Sequence, residues 1–454
     1  MGLKRLFKNT MVMTAAGLIM RFVGLSYQVW LAGRVGAGGI GLFQLIGTVN
    51  MLCATFAISG VRFSSTRLVS EELGLGRQGG AARAVEISLC YASVFGAAAF
   101  ALMFFGAERI GFLWIGDGRT VLSLRTLSIS MPMLALSSVF SGYFIASGRI
   151  LQLSLIQILE QLINIACAYI FLGDIPSSDI ELCCAAIAKS NLVADGCSFL
   201  MSGLVYIIIR PKASEYVVGL GKRLLKIALP LAFSAYARVG LVSLENLLIP
   251  KKLKLSGLSA DAALSGYGVI TGMVFPLISF PSCLLSAAAE LSISELTAAQ
   301  VQGNMARVRA TVKTLLKYTF LFALGVGAFI FFFSEQLGLA VYKSLEAGRY
   351  MKLFAFLVPI MYMDIVTDGC LKGLGQMMNS MAYNISEAAI GLMFVIFLVP
   401  VRGLGGYIFL LFFCELFNFT MSIRRLWKIC GAGAEGKTLP FIFKGRNDIL
   451  LPRR

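Results

Sequence analysis

Two arginines stand inside apolar runs of this chain, and their chemistry is unlike anything around them. Arg21 lies in the run near 9-32 and Arg238 in the run near 225-250, each followed closely by a glycine, Gly24 or Gly240. A guanidinium stays charged in a protein and grips phosphate or carboxylate oxygens through a planar fork. Two of them in apolar surroundings read either as a clamp on phosphate oxygens or as members of structural ion pairs. A second set, Gln157, Glu160, Gln161 and Asn164, falls at i, i+3, i+4 and i+7 and so shares one helical face. That face cannot point at hydrocarbon; with Glu387 it forms a candidate polar cavity wall, while Glu160 and Glu387 also read as interhelical hydrogen-bond struts. A third set, Asp364, Asp368 and Lys372, repeats every four residues. It reads as a site of ion coupling through the two acids, or as an intrahelical Asp368–Lys372 pair.

Other chemistries are excluded by what the chain lacks. There is no histidine, so imidazole acid-base catalysis and imidazole metal ligation are absent. The ten cysteines are scattered, with one close pair at Cys183 and Cys184, and supply neither a metal-ligand spacing nor a disulfide framework. Neither a GxxxxGK[ST] phosphate loop nor a GxSxG elbow occurs. The chain therefore reads as a non-enzyme without cofactor or metal, and any proton coupling falls to carboxylates.

The elements that hold these residues must be transmembrane helices. Of 454 residues, 58% are hydrophobic and 14% charged, against about 25% charged in a soluble domain, and mean hydropathy is +0.82. A span needs about 20 mostly apolar residues. Twelve such stretches occur, near 9-32, 40-60, 84-107, 121-147, 150-172, 182-209, 225-250, 265-290, 314-334, 350-373, 380-400 and 403-424. Lys4, Arg5 and Lys8 precede the first, which is too long for a signal peptide and lacks a small-residue cleavage site. With both termini in the cytoplasm, 26 Lys and Arg fall on the inner side and 11 on the outer, an asymmetry that favours this topology. The net charge of +17 then reflects topogenesis and contact with anionic membrane lipids rather than nucleic acid, for which no folded basic module exists.

The chain also repeats itself. KRLFK at 4-8 recurs as KRLLK at 222-226. VSEELGLGRQGGAARAV from Val69 aligns with ISELTAAQVQGNMARVRA from Ile293 at an offset of 224, and the stretch from Gly142 aligns with that from Gly369 at 227, pairing Gly148 with Gly375 and Glu160 with Glu387. The expectation is an all-α polytopic transmembrane helical bundle of about 12 spans, in two parallel six-helix repeats around a central cavity. Its units are an N-terminal bundle over 1-213, a C-terminal bundle over 214-430 and a basic cytoplasmic tail over 431-454. Pro230, Pro276, Pro281 and Pro359 interrupt spans of the second half, which marks it as the moving part or reflects ordinary kinking.

Three segments, GLIMRFVGLSYQVWLAGRVGAGGIGLFQL, SGVRFSSTRLVSEE and SSVFSGYFIASGRILQLSLIQILEQ, resemble the stage V sporulation protein B group of oligosaccharide flippases, within the multidrug/oligosaccharidyl-lipid/polysaccharide (MOP) superfamily. The resemblance implies alternating access between two six-helix bundles and a polyprenyl-pyrophosphate-linked sugar as cargo. It sets Arg21 at the family's first-span arginine and Arg238 at one common in span seven. Where lipid II flippases carry an arginine pair in the second span, this chain has Cys53 and Ala54, which argues against lipid II itself as cargo. Many relatives have fourteen spans. The expected function is translocation of a lipid-linked oligosaccharide or peptidoglycan-type precursor; the alternatives are a cation-coupled multidrug exporter of the same fold and a non-transporting scaffold in envelope or spore assembly.

Overall fold

The computed structural model describes residues 3–173, 175–176, 179–210 and 219–432, so the tail and the connection containing the 213/214 boundary lie outside the described residues. Helix is the only regular structure among them. Among the described residues nine helices are long and apolar enough to cross a membrane, and two pairs bent by 44° and 58° raise the number to eleven. The helix Leu3–Ile58 hides one more crossing. Its 56 residues would run about 84 Å, far beyond a hydrocarbon core of about 30 Å. Gly36, at φ 75 and ψ 175, breaks it. Arg34 donates to the carbonyls of Leu172, Gly173 and Ile175 at the end of span five, whereas Gly60 lies against Ala228 near the start of span seven, so the chain turns back at Gly36. The described residues thus make twelve crossings, in agreement with the hydropathy reading.

Span one runs to Gly36; span two continues to Ile58 and through Val61–Gly74; span three is Gln78–Arg109 with the π-helical turn Ile110–Ile115. Span four is Val121–Ser128 with Met131–Ala146, span five Ile150–Gly173 and span six Ile180–Ile209. Span seven is Leu220–Leu255, and span eight runs through Ala260–Gly268, the π-helical Val269–Val274, Phe275–Ser279 and Ser282–Val301. Span nine is Met305–Tyr342, span ten Leu345–Phe354 with Val358–Gly373, span eleven Met377–Phe397 and span twelve Val399–Ala432. The turns at Gly36, Gly116, Gly257, Lys343 and Gly403 lie at one end, called the far end here, and those at Gly76, Gly148, Gly303 and Gly375 at the near end; all have positive φ. Ten of these and similar left-handed positions are glycine because a Cβ there is strained.

The repeat is sharper in three dimensions than in the sequence. Gly76 and Gly303 both turn left-handed, and the following helices begin at Gln78 and Met305. The first connection is therefore in register at an offset of 227, not 224, matching the offset of the Gly142 stretch. The same offset relates Pro132 to Pro359, each at the start of the second segment of a bent span, where a missing N–H and fixed φ break the helix and the bend follows. Spans four and ten are accordingly bent alike, so the proline pattern does not single out the second half.

The halves meet along two related seams. Span one meets span eight, where Gln28 Nε2 donates to the Gly272 carbonyl at 2.9 Å and the Phe22 and Phe280 rings lie 6.1 Å apart. Span seven meets span two, where Tyr236 Oη is 2.6 Å from Ser59 Oγ and Gly60 admits the Ala228 carbonyl so closely that a Cβ would sit 2.8 Å from it. Toward the far end spans two and eight pack backbone to backbone through Gly41 and Gly268; a Cβ on Gly268 would lie 2.2 Å from the Ala37 carbonyl. The window Ala260–Ser279 of span eight is 61% buried against 39% or less in the other single-helix spans, so span eight runs through the centre of the molecule.

Candidate functional site

Arg21 lies in the first seam. With Gly24, Leu25 and Gln28 of span one and Pro276, Ser279 and Phe280 of span eight it lines a cavity of about 250 Å³. Span eight is able to form this wall because it is irregular here. The π-helical turn Val269–Val274 leaves the Gly272 carbonyl free to accept from Gln28, and Pro276 and Pro281 remove backbone donors on either side of Ser279. Arg21 is exposed, and among the described residues it makes no ion pair with a carboxylate. The second seam differs: Ser59, itself at φ 43, accepts on its carbonyl from Tyr91 Oη at 3.1 Å and shares its hydroxyl with Tyr236, so polar groups seal it.

Arg238 lies elsewhere. It shares a cavity of about 270 Å³ with Glu245 and Asn246 of its own span, Asn384 and Glu387 of span eleven, and Cys414 and Glu415 of span twelve. This cavity is inside the second six-helix group, not between the groups. Counted back from the far-end turns, Arg21 is 15 residues from Gly36 and Arg238 is 19 residues from Gly257, a difference of about 6 Å in depth. The two arginines are thus neither at one level nor in one cavity. Glu245 is packed against Gly391, where any Cβ would come within 2.8 Å of its Oε1. Asn418 Nδ2 donates to Asn384 Oδ1 at 3.1 Å and approaches Asp364 Oδ2 at 3.4 Å, joining Asp364 to the same group, and Asp364 Oδ1 is buried with no hydrogen-bond partner among the described residues. Several carboxylates so close together in a membrane interior are costly as separate anions; protons, a cation or Arg238 must compensate them.

The polar face of span five looks into the first six-helix group. Glu160 accepts from Ser198 Oγ at 2.6 Å, and with Gln157, Asp195, Ser138 and Arg62 it lines a cavity of about 140 Å³. Gln161 donates to the Met20 carbonyl beside Gly24, and Asn164 bonds Asn191 at 2.7 Å and Ser190 at 2.8 Å. These four side chains therefore divide among three tasks rather than lining one shared wall. Asp368 pairs with Lys372 at 2.5 Å and accepts from Ser380, the intrahelical alternative read from the sequence, while Asp364 meets Asn418, so the two acids keep different partners.

Sequence reasoning left Asp195, Glu245 and Glu415 unassigned. The signal for Glu245 was its spacing, since 238, 242, 245 and 246 fall on one helical face. For the asparagines it was the repeat: at offset 227 Asn191 corresponds to Asn418, and each bonds an asparagine of the preceding span.

Residues 253–397 match the MatE family model. The chain is 24% identical over 430 residues to stage V sporulation protein B of Bacillus subtilis, covering 89% of this chain and 80% of that one. A second Bacillus subtilis protein, sporulation protein YkvU, is 22% identical over 59% of this chain and 61% of its own. Among solved structures, the inward-facing conformation of a multidrug resistance MATE family transporter of the MOP superfamily matches with a TM-score of 0.71 at 16% identity, over 94% of this chain and 100% of that one. The chain has the fold of these MOP superfamily transporters. The outward-facing conformation of such a transporter matches less well, at a TM-score of 0.62, 14% identity, 96% of this chain and 97% of that one. A MOP superfamily transporter from Pyrococcus furiosus gives the same score at 15% identity, over 95% and 97% of the two chains. The MOP fold carries two helical repeats, which is the arrangement of the twelve crossings here, and the chain's apolar helices make it multi-pass in the membrane.

Proposed function

We propose that this protein is a MOP-type transporter that flips a polyprenyl-pyrophosphate-linked sugar, a lipid-linked oligosaccharide or peptidoglycan-type precursor, across a bacterial cytoplasmic membrane by alternating access. The observation that carries the reading is the contrast between the seams. The seam of spans one and eight holds a cavity with an exposed arginine lacking a carboxylate partner among the described residues, while the seam of spans seven and two is sealed by Tyr236, Ser59 and Tyr91. A cation at the mouth of an apolar seam suits an anionic head group whose tail stays in lipid. In this reading Arg21 is the first pyrophosphate ligand, and Arg238, equally exposed and equally without a carboxylate ion pair among the described residues, is a second one on the other half during the cycle. Both termini face the cytoplasm, with bundles over 1-213 and 214-430 and a basic tail over 431-454, and the similarity to sporulation proteins supports a role in envelope or spore-cortex assembly. The test is native mass spectrometry of the protein purified in mild detergent beside Arg21→Ala. A polyprenyl-pyrophosphate lipid retained by the native protein and lost from the variant is expected; two identical spectra without such a lipid would remove the reading.

A cation-coupled exporter is the second reading, and one observation favours it. The cavity of Glu245, Glu387 and Glu415, with Asn384 and nearby Asp364, is suited to exchange a proton or a small cation. The two readings converge if ion movement through this cluster drives the flip. Glu387→Gln separates them: loss of drug efflux without loss of lipid translocation identifies an exporter.

A further inference from the structure

Beside the Arg21 cavity lies a larger one of different character. It is a recess of about 430 Å³ between spans eight and nine, with Leu277, Phe280 and Pro281 on one wall and Phe322, Gly325, Val326, Phe329, Ile330 and Leu337 on the other. Its size falls in the range of about 300–1,000 Å³ typical of small-molecule sites. Every lining residue is apolar, and Phe280 lines both this recess and the Arg21 cavity. The break between Phe275–Ser279 and Ser282–Val301 makes this adjacency, because span eight is interrupted at Phe280–Pro281 and the Phe280 side chain alone lines both spaces. On span nine the floor is Gly325, which is exposed and where an added Cβ would meet nothing within 4 Å.

We propose that the recess between spans eight and nine holds the first isoprene units of the substrate's polyprenyl tail while Arg21 holds its pyrophosphate. This deepens the flippase reading and rests on it. The continuity is what selects the occupant. One aromatic side chain separates a cationic, partly polar cavity containing Arg21, Gln28 and Ser279 from a wholly apolar one, an order of surfaces that matches a pyrophosphate joined directly to a hydrocarbon chain. Phe280, Phe322 and Phe329 present flat faces to a chain carrying methyl branches.

The test measures binding of a long-chain polyprenyl pyrophosphate and of methyl pyrophosphate, which carries the head group without a tail, to the full-length protein in detergent. Gly325→Phe places a ring in the recess from a position where an added Cβ meets nothing within 4 Å, and Gly325→Ala serves as the folding control. Gly325→Phe is expected to weaken the long-chain ligand about tenfold, the loss of roughly two buried methylene groups, while methyl pyrophosphate is unaffected. Arg21→Ala weakens both ligands. Long-chain binding to Gly325→Phe at the native level overturns the tail site while the Arg21 reading stands, and so does equal weakening of both ligands. A diazirine-tailed polyprenyl pyrophosphate gives an independent readout: labelling within 322–330 is expected, and its displacement by phosphatidylglycerol as readily as by the unlabelled ligand also overturns the site. Absence of binding of either ligand to the native protein removes the flippase reading itself.

Discussion

Arg21 and Arg238 bring the same charge to different surroundings, and their substitutions should differ accordingly. Arg21 meets few protein groups, so Arg21→Ala should leave the protein folded and reduce pyrophosphate-lipid affinity by about ten- to a hundredfold, the value of one or two charge-assisted hydrogen bonds at about 1.5–3 kcal/mol each. Arg21→Lys keeps the charge without the planar fork and should recover part of that affinity. Binding isotherms for the three proteins, with melting temperature as the folding control, check both expectations. In the second half, Gly391 leaves room for the Glu245 carboxylate, so Gly391→Ala must push that group out of position. Gly391→Ala should therefore lower transport as Glu245→Gln does, and the double variant should be no worse than either. Additive losses in a transport assay would show that the two positions act separately.

At the scale of elements, irregularity is what fits spans two and eight to their positions. Both are broken about midway, at Ser59–Gly60 and at Phe280–Pro281, and both touch the opposite half on each side of the break. Toward the far end the contact depends on glycine. A Cβ at Gly268 would lie 2.2 Å from the Ala37 carbonyl, so Gly268→Leu should separate spans two and eight and expose the far end. Faster reaction of a Gln28→Cys probe with a membrane-impermeant thiol reagent is the expected readout. A neighbouring ion pair is pH-sensitive in a defined direction. In the far-end turn, burial works against the charge of Asp117, but the hydrogen bonds and charge of Arg119, with Nη2 at 2.6 Å, outweigh it and hold the carboxyl below its ordinary value. Its contribution is therefore present above the ordinary carboxylate range and is lost as pH falls through the depressed value. The two side chains are 21% and 37% exposed, so solvent weakens the effect. The melting-temperature gap between native protein and Asp117→Asn should be small, constant from neutral pH down to the carboxylate range, and should close in stronger acid.

The two seams are the property of the molecule as a whole, and they give its topology a direction. If the lipid enters between spans one and eight, cross-linking that seam through Phe22→Cys and Phe280→Cys should abolish lipid binding. Cross-linking the other seam through Ser59→Cys and Tyr236→Cys should leave binding intact. Retention of binding in the first case, or loss in the second, would reverse the assigned entry side. The pseudo-symmetry makes this a stringent comparison, because each cross-link joins the first span of one half to the second span of the other.

Fold class, twelve crossings and internal duplication were legible in the residues alone, because hydrocarbon requires about 20 apolar residues per crossing and makes each span a local property of its own segment. Arg21, Glu387 and the polar face of span five were legible for the same reason, since a polar group in an apolar run is conspicuous wherever the helix packs. The company each residue keeps was not. Arg238 falls among Glu245, Glu387 and Glu415 rather than opposite Arg21, and Gln157, Glu160, Gln161 and Asn164 divide among three sets of partners, because the rotation of one helix against another depends on side chains distant in sequence. The offset of 227 shows the same limit: residue similarity drifted by three positions at the first connection, while the left-handed turns at Gly76 and Gly303 held the backbone in register. Local solvent chemistry thus determined that this chain crosses a membrane twelve times in two repeats, whereas tertiary packing alone decided which seam holds a cavity and which is sealed.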